Sequence, residues 1–209
     1  MSIADRVRIE EITILSDDWY ILKTIRFAFR RSNGEWQTQS RETYDRGNGA
    51  TILLFNRERR TIVLVRQFRL PAFVNGYDDL LIEAPAGLFD SRNAEETIRA
   101  ETEEETGYRV GRVEKILDCF MSPGSVTERL TFFVAEYAAM DRIGGGGGKP
   151  DEGEDIEVME ILIDEALAMI RDGRIRDAKT ILLIQHAALN IFTECQGRPS
   201  TAISPPHKD

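Results

Sequence analysis

The stretch that most constrains how this chain can fold is residues 87–108, GLFDSRNAEETIRAETEEETGY, in which a glycine turn leads into an acidic segment. Asn93 stands three residues before Glu96, a capping-box pattern that satisfies two backbone amides at the start of a helix. Gly107 suits the left-handed position just beyond the end of such a helix. The sequence therefore predicts a single helix between Asn93 and Gly107, preceded by a turn.

Three carboxylates crowd one face of this predicted helix. Glu101, Glu104 and Glu105 are spaced i, i+3 and i+4, and side chains at that spacing lie side by side. Like charges so placed repel one another unless a cation neutralises them, and Arg99 alone does not balance three. A solvated acidic helix is the ordinary alternative for such a run. Together with the glycine turn, the pattern favours a site for a hard divalent cation such as Mg²⁺.

These residues resemble the Nudix box, whose second half reads Arg-Glu-apolar-X-Glu-Glu-X-Gly. Glu101, Glu104, Glu105 and Gly107 match that half, and Gly87 matches the opening glycine with one residue fewer between the halves. The shorter spacing is similar to that of the Nudix branch that hydrolyses GDP-mannose. The resemblance extends over residues 12–190 through five further segments: YDRGNGATILLFN at 44–56, VRQFR at 65–69, MSPGSVTE at 121–128, EDIEVMEI at 154–161 and IRDAKT at 175–180.

The helix departs from the box at three positions. The first glutamate of the box is Asn93 here, its arginine is Ala100 and its apolar residue is Thr102. In the family the arginine orients the glutamates through a salt bridge, which Ala100 cannot make. Arg99 lies one residue earlier, about 100° round a helix, and does not take over that position. The glutamates that match the family's metal ligands are intact, so the departures bear on rate more than on chemistry.

Composition and charge argue against several classes of function. The chain has 209 residues, 42% of them hydrophobic, which suits one globular domain with a sizeable core. A formal net charge of −9 argues against general nucleic-acid binding. The sequence contains no apolar run of about 18 residues, so a membrane span is not predicted. His186 and His207 lack the spacing of a zinc site or a histidine-based triad. Because the N-terminus has no apolar signal core and Cys119 and Cys195 have no CxxC partner, we expect a cytoplasmic protein with reduced thiols.

The order of strand and helix patterns predicts an α+β fold. Three strands near 7–15, 20–31 and 35–45 come first, with a hairpin turn at Ser32-Asn33-Gly34 and an imperfect alternation in the first strand that suggests a bulge. Later strands are predicted at 50–55, 61–68, 80–84, 113–119, 130–137 and 156–163, with a loop at 70–79 and helices at 164–172 and 177–196.

The resemblance assigns these elements to a Nudix α-β-α sandwich with mixed sheets. That domain would span residues 47–196. An antiparallel strand region at 1–46 would precede it and contribute to dimer formation, and a disordered tail would follow at 197–209.

Residues 144–148 are five consecutive glycines, followed by a cluster of acids. A linker between domains is one interpretation. Because too little chain follows for a second substantial domain, a hinge for a loop that closes over a ligand is the favoured one. Glu154 matches the loop acid of the family motif, so the resemblance implies that it contacts the metal and acts as general base. Nearby alternatives for that role are Asp151, Glu152 and Asp155.

The resemblance also implies roles for individual residues. The metal ligands would be Glu101, Glu105, Glu154 and the backbone carbonyl of Ala86, holding Mg²⁺ with Mn²⁺ as an alternative. Glu104 would be a further ligand or a partner of the ligands, and Glu104 and Glu105 would join Glu154 as catalytic residues. Substrate contacts would come from Arg69 on a phosphate, Lys179 on a phosphate or the terminal sugar, Glu128 on a base or sugar, Trp19 as a base-stacking aromatic, and Ser40, Arg41 and Glu42 on the nucleotide. Each has an ordinary alternative, such as a surface charge or, for Trp19, a core aromatic in a strand.

The strands that carry Trp19 and residues 40–42 are far in sequence from the acidic helix. In related enzymes these strands reach across a two-fold axis, so the resemblance implies a homodimer whose sites are built from both chains. The reaction it implies is Mg²⁺-dependent hydrolysis of GDP-mannose to GMP and mannose 1-phosphate. Alternative substrates are ADP-ribose or another nucleoside diphosphate sugar. A non-catalytic nucleotide-sugar sensor is the alternative from another class, suggested by Asn93 and Ala100.

Overall fold

The computed structural model describes residues 2–89 and 93–193. After a 3-10 turn at Ile3–Arg6, the strands β1 (Val7–Asp17), β2 (Ile21–Arg30) and β3 (Trp36–Asp45) form a three-stranded antiparallel sheet in the order β1-β2-β3. The predicted bulge in the first strand is confirmed, since the pairing register of β1 with β2 shifts twice. The predicted tail at 197–209, Cys195 and His207 lie outside the described residues.

A seven-stranded mixed sheet forms the centre of the rest of the chain. Its strands are β4 (Gly49–Asn56), β5 (Thr61–Gln67), β6 (Leu81–Glu83), β7 (Ala86–Leu88), β8 (Glu114–Phe120), β9 (Arg129–Glu136) and β10 (Glu157–Leu162). The order is β10-β5-β4-β9-β8, with β6 paired to β5 and β7 paired to β4. Strands β4 and β9 are parallel, and the other pairs are antiparallel.

Helices cover both faces of this sheet: α2 (Ala94–Thr106) lies on one face, and α3 (Ile163–Arg171) and α4 (Ala178–Asn190) lie on the other. Side chains alternate across a strand, so β4 serves both layers. Leu53 and Phe55 pack in the core that contains α3 and α4, whereas Ile52 and Leu54 pack with Ile98 of α2. The predicted α-β-α sandwich within an α+β fold is confirmed.

Three local features differ from the sequence prediction. The predicted loop at 70–79 contains a short helix α1 (Leu70–Val74), started by a proline in its first turn. Strand β7 was not predicted, because three residues are too few to show an alternating pattern. Helix α4 ends at Asn190 rather than continuing toward 196. In the described part of the chain, no helix has the length and apolar character needed to cross a membrane.

Candidate active site

Helix α2 begins and ends where its caps predict. The Asn93 side chain accepts hydrogen bonds from the amides of Glu95 and Glu96, and the Glu96 carboxylate accepts one from the Asn93 amide. Gly107 ends the helix in the left-handed conformation with a φ of 75°. Asn93, one of the departures from the box, therefore serves here to start the helix.

Strand β7 brings the backbone of Ala86–Leu88 directly against α2. Gly87 pairs with Ala50 of β4, and a Cβ on Gly87 would lie 2.3 Å from Cγ of Glu101. A side chain at this position would therefore displace the Glu101 side chain, and glycine lets the strand approach the helix with Glu101 in place. This approach places Glu101 against Gly87, and the residue before Gly87 is Ala86, whose carbonyl is a predicted metal ligand.

Glu105 is a carboxylate buried at the centre of this arrangement, with 3% of its surface exposed. Its Oε2 accepts a hydrogen bond from the Ala86 amide at 3.3 Å. Burial raises the pKa of Glu105 well above its ordinary value, and the negative charges of Glu101 and Glu154 raise it further. Arg69 opposes the rise in this pKa through its positive charge. The three acids predicted as metal ligands are thus close enough to affect one another electrostatically.

The position of the missing box arginine is not filled by its neighbour. Arg99 donates to Glu95 Oε1 at 2.8 Å, to the Val110 carbonyl at 2.9 Å and to the Gly111 carbonyl. It therefore fastens α2 to the segment that follows the helix. The positive charge that acts on Glu105 comes instead from Arg69, which precedes α1.

The donor set fits a hard divalent cation. Among residues 2–89 and 93–193, no three His, Cys, Asp or Glu side chains already converge into a metal cage. A buried carboxylate whose ionisation is opposed by two neighbouring carboxylates is nevertheless the environment that a cation relieves, and oxygen donors suit Mg²⁺. The residues that would hold it are Glu101, Glu105, Glu154 and the Ala86 carbonyl, and their coordination stays a prediction.

The glycine run lies against the C-terminal end of α2. The amides of Gly147 and Gly148 donate to the carbonyls of Glu105 at 2.9 Å and Glu104 at 3.2 Å. A Cβ on Gly146, where φ is 69°, would lie 2.4 Å from the Glu105 carbonyl oxygen. Helix-end carbonyls lack partners within their own helix, and this segment supplies them. The glycines therefore have a packing reason that does not require the predicted hinge motion.

Beyond the glycines, Lys149 connects the loop to two of the predicted site acids. Its Nζ lies 2.8 Å from Glu104 Oε1 and 3.3 Å from Glu152 Oε1, and the hydrogen bond to Glu104 raises the pKa of Lys149. Its backbone amide donates to Glu154 Oε2 at 2.8 Å. Glu104 thus contacts the loop, while Glu154 is held on the turn beside α2.

The two predicted phosphate-binding cations meet at one carboxylate. Arg69 Nε lies 2.6 Å from Glu83 Oε2, and Lys179 Nζ lies 2.5 Å from Glu83 Oε1. Lys179 also lies 3.0 Å from Asp177 Oδ2. Burial lowers the pKa of Lys179, but the negative charges of Glu83 and Asp177 outweigh it, so the pKa is raised and the ammonium stays charged. The structure brings Arg69 and Lys179 together, although they are distant in sequence.

Glu128 lies where the loop at 121–128 meets the first sheet. Its side chain is 12% exposed, and its Oε1 lies 3.5 Å from Nε of Arg46, whose guanidinium is 5.4 Å from the Tyr20 ring centre. The loop is fastened to β3, since the Tyr44 amide donates to the Ser125 carbonyl at 2.8 Å. Glu128 is therefore a held carboxylate rather than a loose surface charge.

The remaining predicted nucleotide contacts lie on the three-stranded sheet. Trp19 is 80% exposed in the turn between β1 and β2, so the alternative that it is a core residue in a strand is wrong. Ser40, Arg41 and Glu42 are exposed on β3. Because side chains alternate along a strand, Arg41 projects from one face of the sheet, while Ser40 and Glu42 project from the other. Arg41 accordingly donates to Gln39 Oε1 at 2.8 Å on its own face.

Among the charged residues that contact the predicted site residues, sequence reasoning missed Arg46, Glu83 and Lys149. Glu83 is charged within a strand that precedes Ala86, and a buried strand glutamate is rare unless it is paired. That was the available signal for Glu83. Arg46 and Lys149 resemble ordinary loop cations in sequence, so their contacts become visible only in three dimensions.

The fold and the site combine a mixed sheet between two helical layers with an acidic capped helix packed against a glycine-containing strand. Residues 45–184 match the NUDIX domain, and residues 6–44 match the GDP-mannose pyrophosphatase NudK N-terminal domain. The chain belongs to the Nudix family and is a hydrolase of that family, as the sequence resemblance predicted.

Curated relatives are similar over nearly their whole length. The GDP-mannose pyrophosphatase of Pectobacterium atrosepticum is 55% identical over 184 residues, which cover 88% of this chain and 94% of the relative. The GDP-mannose pyrophosphatase of Citrobacter koseri is 52% identical over 174 residues, covering 83% of this chain and 90% of the relative. That of Klebsiella pneumoniae is 50% identical over 174 residues, covering 83% and 87%.

Proposed function

We propose that this enzyme hydrolyses GDP-mannose to GMP and mannose 1-phosphate in a reaction that depends on a divalent metal. The substrate assignment rests on similarity to GDP-mannose pyrophosphatases in both the N-terminal and the C-terminal parts of the chain. The catalytic domain and the N-terminal strands each match proteins or domains named for GDP-mannose pyrophosphatase. Cleavage of a pyrophosphate is mainly a matter of positioning and charge neutralisation, and the site is rich in groups for both.

The proposed metal is Mg²⁺, with Mn²⁺ as an alternative. Glu101, Glu105, Glu154 and the Ala86 carbonyl would hold it, and a bound ion of this kind neutralises phosphate charge and lowers the pKa of a bound water. Glu105 also keeps contact with β7 through its hydrogen bond from the Ala86 amide. If the assignment is correct, Mg²⁺ should raise the thermal unfolding midpoint of the wild-type protein. It should raise that of Glu105→Gln much less, and an equal rise in both proteins would count against Glu105 as a ligand.

Glu154 is the proposed general base. Its carboxylate contacts the Lys149 amide and acts electrostatically on Glu105, so it lies beside the proposed metal ligands. From there it would orient the attacking water and take its proton while the bond from phosphorus to the bridging oxygen breaks. Arg69 and Lys179 would bind the phosphate oxygens, since the two cations meet at one carboxylate, that of Glu83.

Glu128 and residues of the first sheet would bind the nucleoside. A carboxylate held beside Arg46 accepts hydrogen bonds from the N–H groups of a base or the hydroxyls of a sugar. Exposed Trp19 offers a stacking surface, and Ser40, Arg41 and Glu42 offer polar contacts from both faces of the sheet.

We infer that the functional unit is a homodimer formed through residues 1–46, with sites that combine both chains. The three strands pack mostly on one another, and Ala28 is their one buried residue, so the sheet has almost no core of its own. Val7, Ile9, Ile12 and Ile14 share one face with Ile25, Phe27 and Phe29. A three-stranded sheet with such a face is stable when a partner surface covers it.

The cytoplasm is the proposed compartment, in keeping with the free thiol of Cys119.

The direct test is product analysis of the purified enzyme with a panel of nucleotide sugars in ¹⁸O-labelled water. We expect GDP-mannose to give the highest kcat/KM, with GMP and mannose 1-phosphate as products, one of them carrying the label. A preference for ADP-ribose would show that the proposed substrate is wrong, while pyrophosphate hydrolysis would still be the reaction. Binding of GDP-mannose without turnover in the presence of Mg²⁺ would contradict the proposal.

A further inference from the structure

Glu83 contacts both predicted phosphate-binding cations and has not been given a role. It is the last residue of β6, and its side chain is 5% exposed. Each carboxylate oxygen has its own cation: Oε2 is 2.6 Å from Arg69 Nε, and Oε1 is 2.5 Å from Lys179 Nζ. A single buried carboxylate thus fixes the distance between two cations that come from opposite parts of the chain.

The surroundings make this pairing rigid. Asp177 caps α4 by accepting from the Thr180 amide at 3.0 Å and from its hydroxyl at 2.6 Å, and it lies 3.0 Å from Lys179 Nζ. The Thr180 hydroxyl in turn accepts from the Ala84 amide at 2.6 Å, next to Glu83 in sequence. Strand β6 and the first turn of α4 are therefore joined at Glu83, through Lys179, and at the next residue, Ala84, through Thr180. A network with its polar groups satisfied holds side chains in one geometry.

The contacts leave donors for a ligand. Glu83 engages Arg69 through Nε, so the two terminal nitrogens of the guanidinium are not consumed by Glu83. Lys179 has three N–H donors, and Glu83 and Asp177 account for two of them. Arg69 keeps 41% of its side chain exposed, whereas Lys179 is nearly buried. Together they present a fork and a single donor, which suits the oxygens of neighbouring phosphate groups.

Three carboxylates act on the charge of Arg69. Burial lowers the pKa of Arg69, but the negative charges of Glu83, Glu105 and Asp177 outweigh it, so the pKa is raised. Of these three carboxylates, Glu83 makes the hydrogen bond to Arg69, at 2.6 Å. Glu83 is therefore the carboxylate that fixes the position of the guanidinium.

We propose that Glu83 is a positioning residue that presets Arg69 and Lys179 for two phosphate groups of the substrate. The inference rests on the proposed function for the identity of the ligand, a nucleoside diphosphate. Glu83 itself does not touch the ligand. It acts through the two cations, so its loss should affect binding of the phosphates before it affects the fold.

The test compares Glu83→Gln with Glu136→Gln, a matched loss of one carboxylate from an exposed pair with Arg57 at 3.7 Å. GDP affinity is measured by calorimetry in the presence of Mg²⁺, kcat and KM with GDP-mannose, and folding by near-UV circular dichroism. We expect Glu83→Gln to weaken GDP binding and raise KM about tenfold to a hundredfold, the range of one lost charged hydrogen bond. Glu136→Gln should match the wild type. A folded Glu83→Gln protein with wild-type GDP affinity and KM would overturn the inference.

Two further variants separate positioning from a merely structural role. If Glu83 acts through Arg69, adding Glu83→Gln to Arg69→Gln should weaken GDP binding by a much smaller factor than in the wild-type background. Equal factors in both backgrounds would overturn the inference. Should Glu83→Gln fail to fold, Glu83→Asp replaces it, because a shorter carboxylate keeps the charge and cannot reach both cations at once. Wild-type affinity in Glu83→Asp would then overturn the inference, whereas GDP binding without GDP-mannose turnover in the wild type would overturn the proposed function alone.

Discussion

At the scale of single residues, the charge of the buried carboxylate of Glu105 opposes folding. Its pKa is raised by burial and by Glu101 and Glu154, so the folded protein holds this proton more tightly than the unfolded chain does. The unfolded glutamate loses its proton near a pH of about 4.3. Above that pH the raised value makes the metal-free fold progressively less stable, until the folded-state pKa is passed.

Glu105→Gln should therefore stabilise the metal-free protein at neutral pH. The amide keeps the acceptor for the Ala86 amide and removes the charge. We expect a higher unfolding midpoint than the wild type at pH 8 in EDTA, by roughly 2–4 °C for each kcal/mol gained, and a smaller difference at pH 5. Glu103→Gln is the control, since Arg109 lowers the pKa of that exposed glutamate and no gain is expected there. A midpoint for Glu105→Gln that equals the wild-type value at both pH values would contradict the burial argument.

The choice of general base can be decided between two glutamates of one loop. Glu154 acts electrostatically on Glu105, whereas Glu152 is 62% exposed and pairs with Lys149 at 3.3 Å. We expect Glu154→Gln to lower kcat by about a hundredfold or more, within the range of general base catalysis, with little change in nucleotide-sugar affinity. Glu152→Gln should stay within about threefold of the wild type, because exposed pairs contribute little. The reverse pattern would transfer the role to Glu152.

Sequence predicted the role of single residues correctly where that role depends only on neighbouring residues, as in helix capping. Asn93 and Gly107 were placed correctly as caps, because capping depends on the nearest few residues. The residue that supplies positive charge in place of the box arginine, which is Ala100 here, could not be predicted from neighbouring residues. The cation that acts on Glu105 is Arg69, which approaches it through the folding of β5, β6 and β7 rather than along the helix.

At the scale of elements, the segment 144–154 acquires an explanation that composition did not suggest. The amides of Gly147 and Gly148 satisfy carbonyls at the end of α2, and the backbones approach too closely for a side chain at Gly146. A sequence of glycines predicts conformational freedom, but it equally permits close packing of backbone on backbone. The two uses look the same in sequence, because only the neighbouring element distinguishes them. A closing motion of this loop remains a prediction.

Two glycines of the run provide a matched pair of variants. Gly146→Ala would place a side chain at a φ of 69° and 2.4 Å from the Glu105 carbonyl oxygen. We expect it to lower the free energy of unfolding by about 2 kcal/mol or more and to reduce kcat. Gly145→Ala should change stability by less than about 0.5 kcal/mol, since no atom lies within 4 Å of its added carbon. If denaturant unfolding shows equal stability for the two variants, the docking of this segment against α2 is wrong.

At the scale of the whole molecule, the two sheets differ in how they are stabilised. The seven-stranded sheet is buried by helices on both faces, and its strand β4 is almost wholly enclosed. The three-stranded sheet has strands of ten or eleven residues, and the side chains of its outer strands β1 and β3 are mostly exposed, whereas those of β2 are mostly half-buried. Long exposed strands with apolar residues are normally covered in a native assembly.

The sequence predicted the sandwich because alternation and continuous apolar runs report burial by the chain's own helices. The same patterns are weaker in β1, where two register shifts interrupt the alternation, so the face to which its isoleucines belong is defined by the pairing register. The clustering of Ile12 with Ile25 is therefore a structural finding. The dimer itself rested on resemblance, since a contact between two chains leaves no separate signature in one sequence.

The register now allows a sharp test of that dimer. Ile12, 59% exposed, lies on the apolar face opposite Ile25, while the next residue, Thr13, lies on the other face opposite Thr24. Ile12→Lys should place a charge in the proposed interface at a cost of several kcal/mol, so the dimer dissociates at assay concentration. Activity should fall with it, because Trp19 and residues 40–42 would no longer reach the partner's site. Thr13→Lys adds the same charge to the opposite face and should keep the dimer and its rate. Analytical ultracentrifugation alongside turnover measures both, and a fully active wild-type monomer would exclude the shared site.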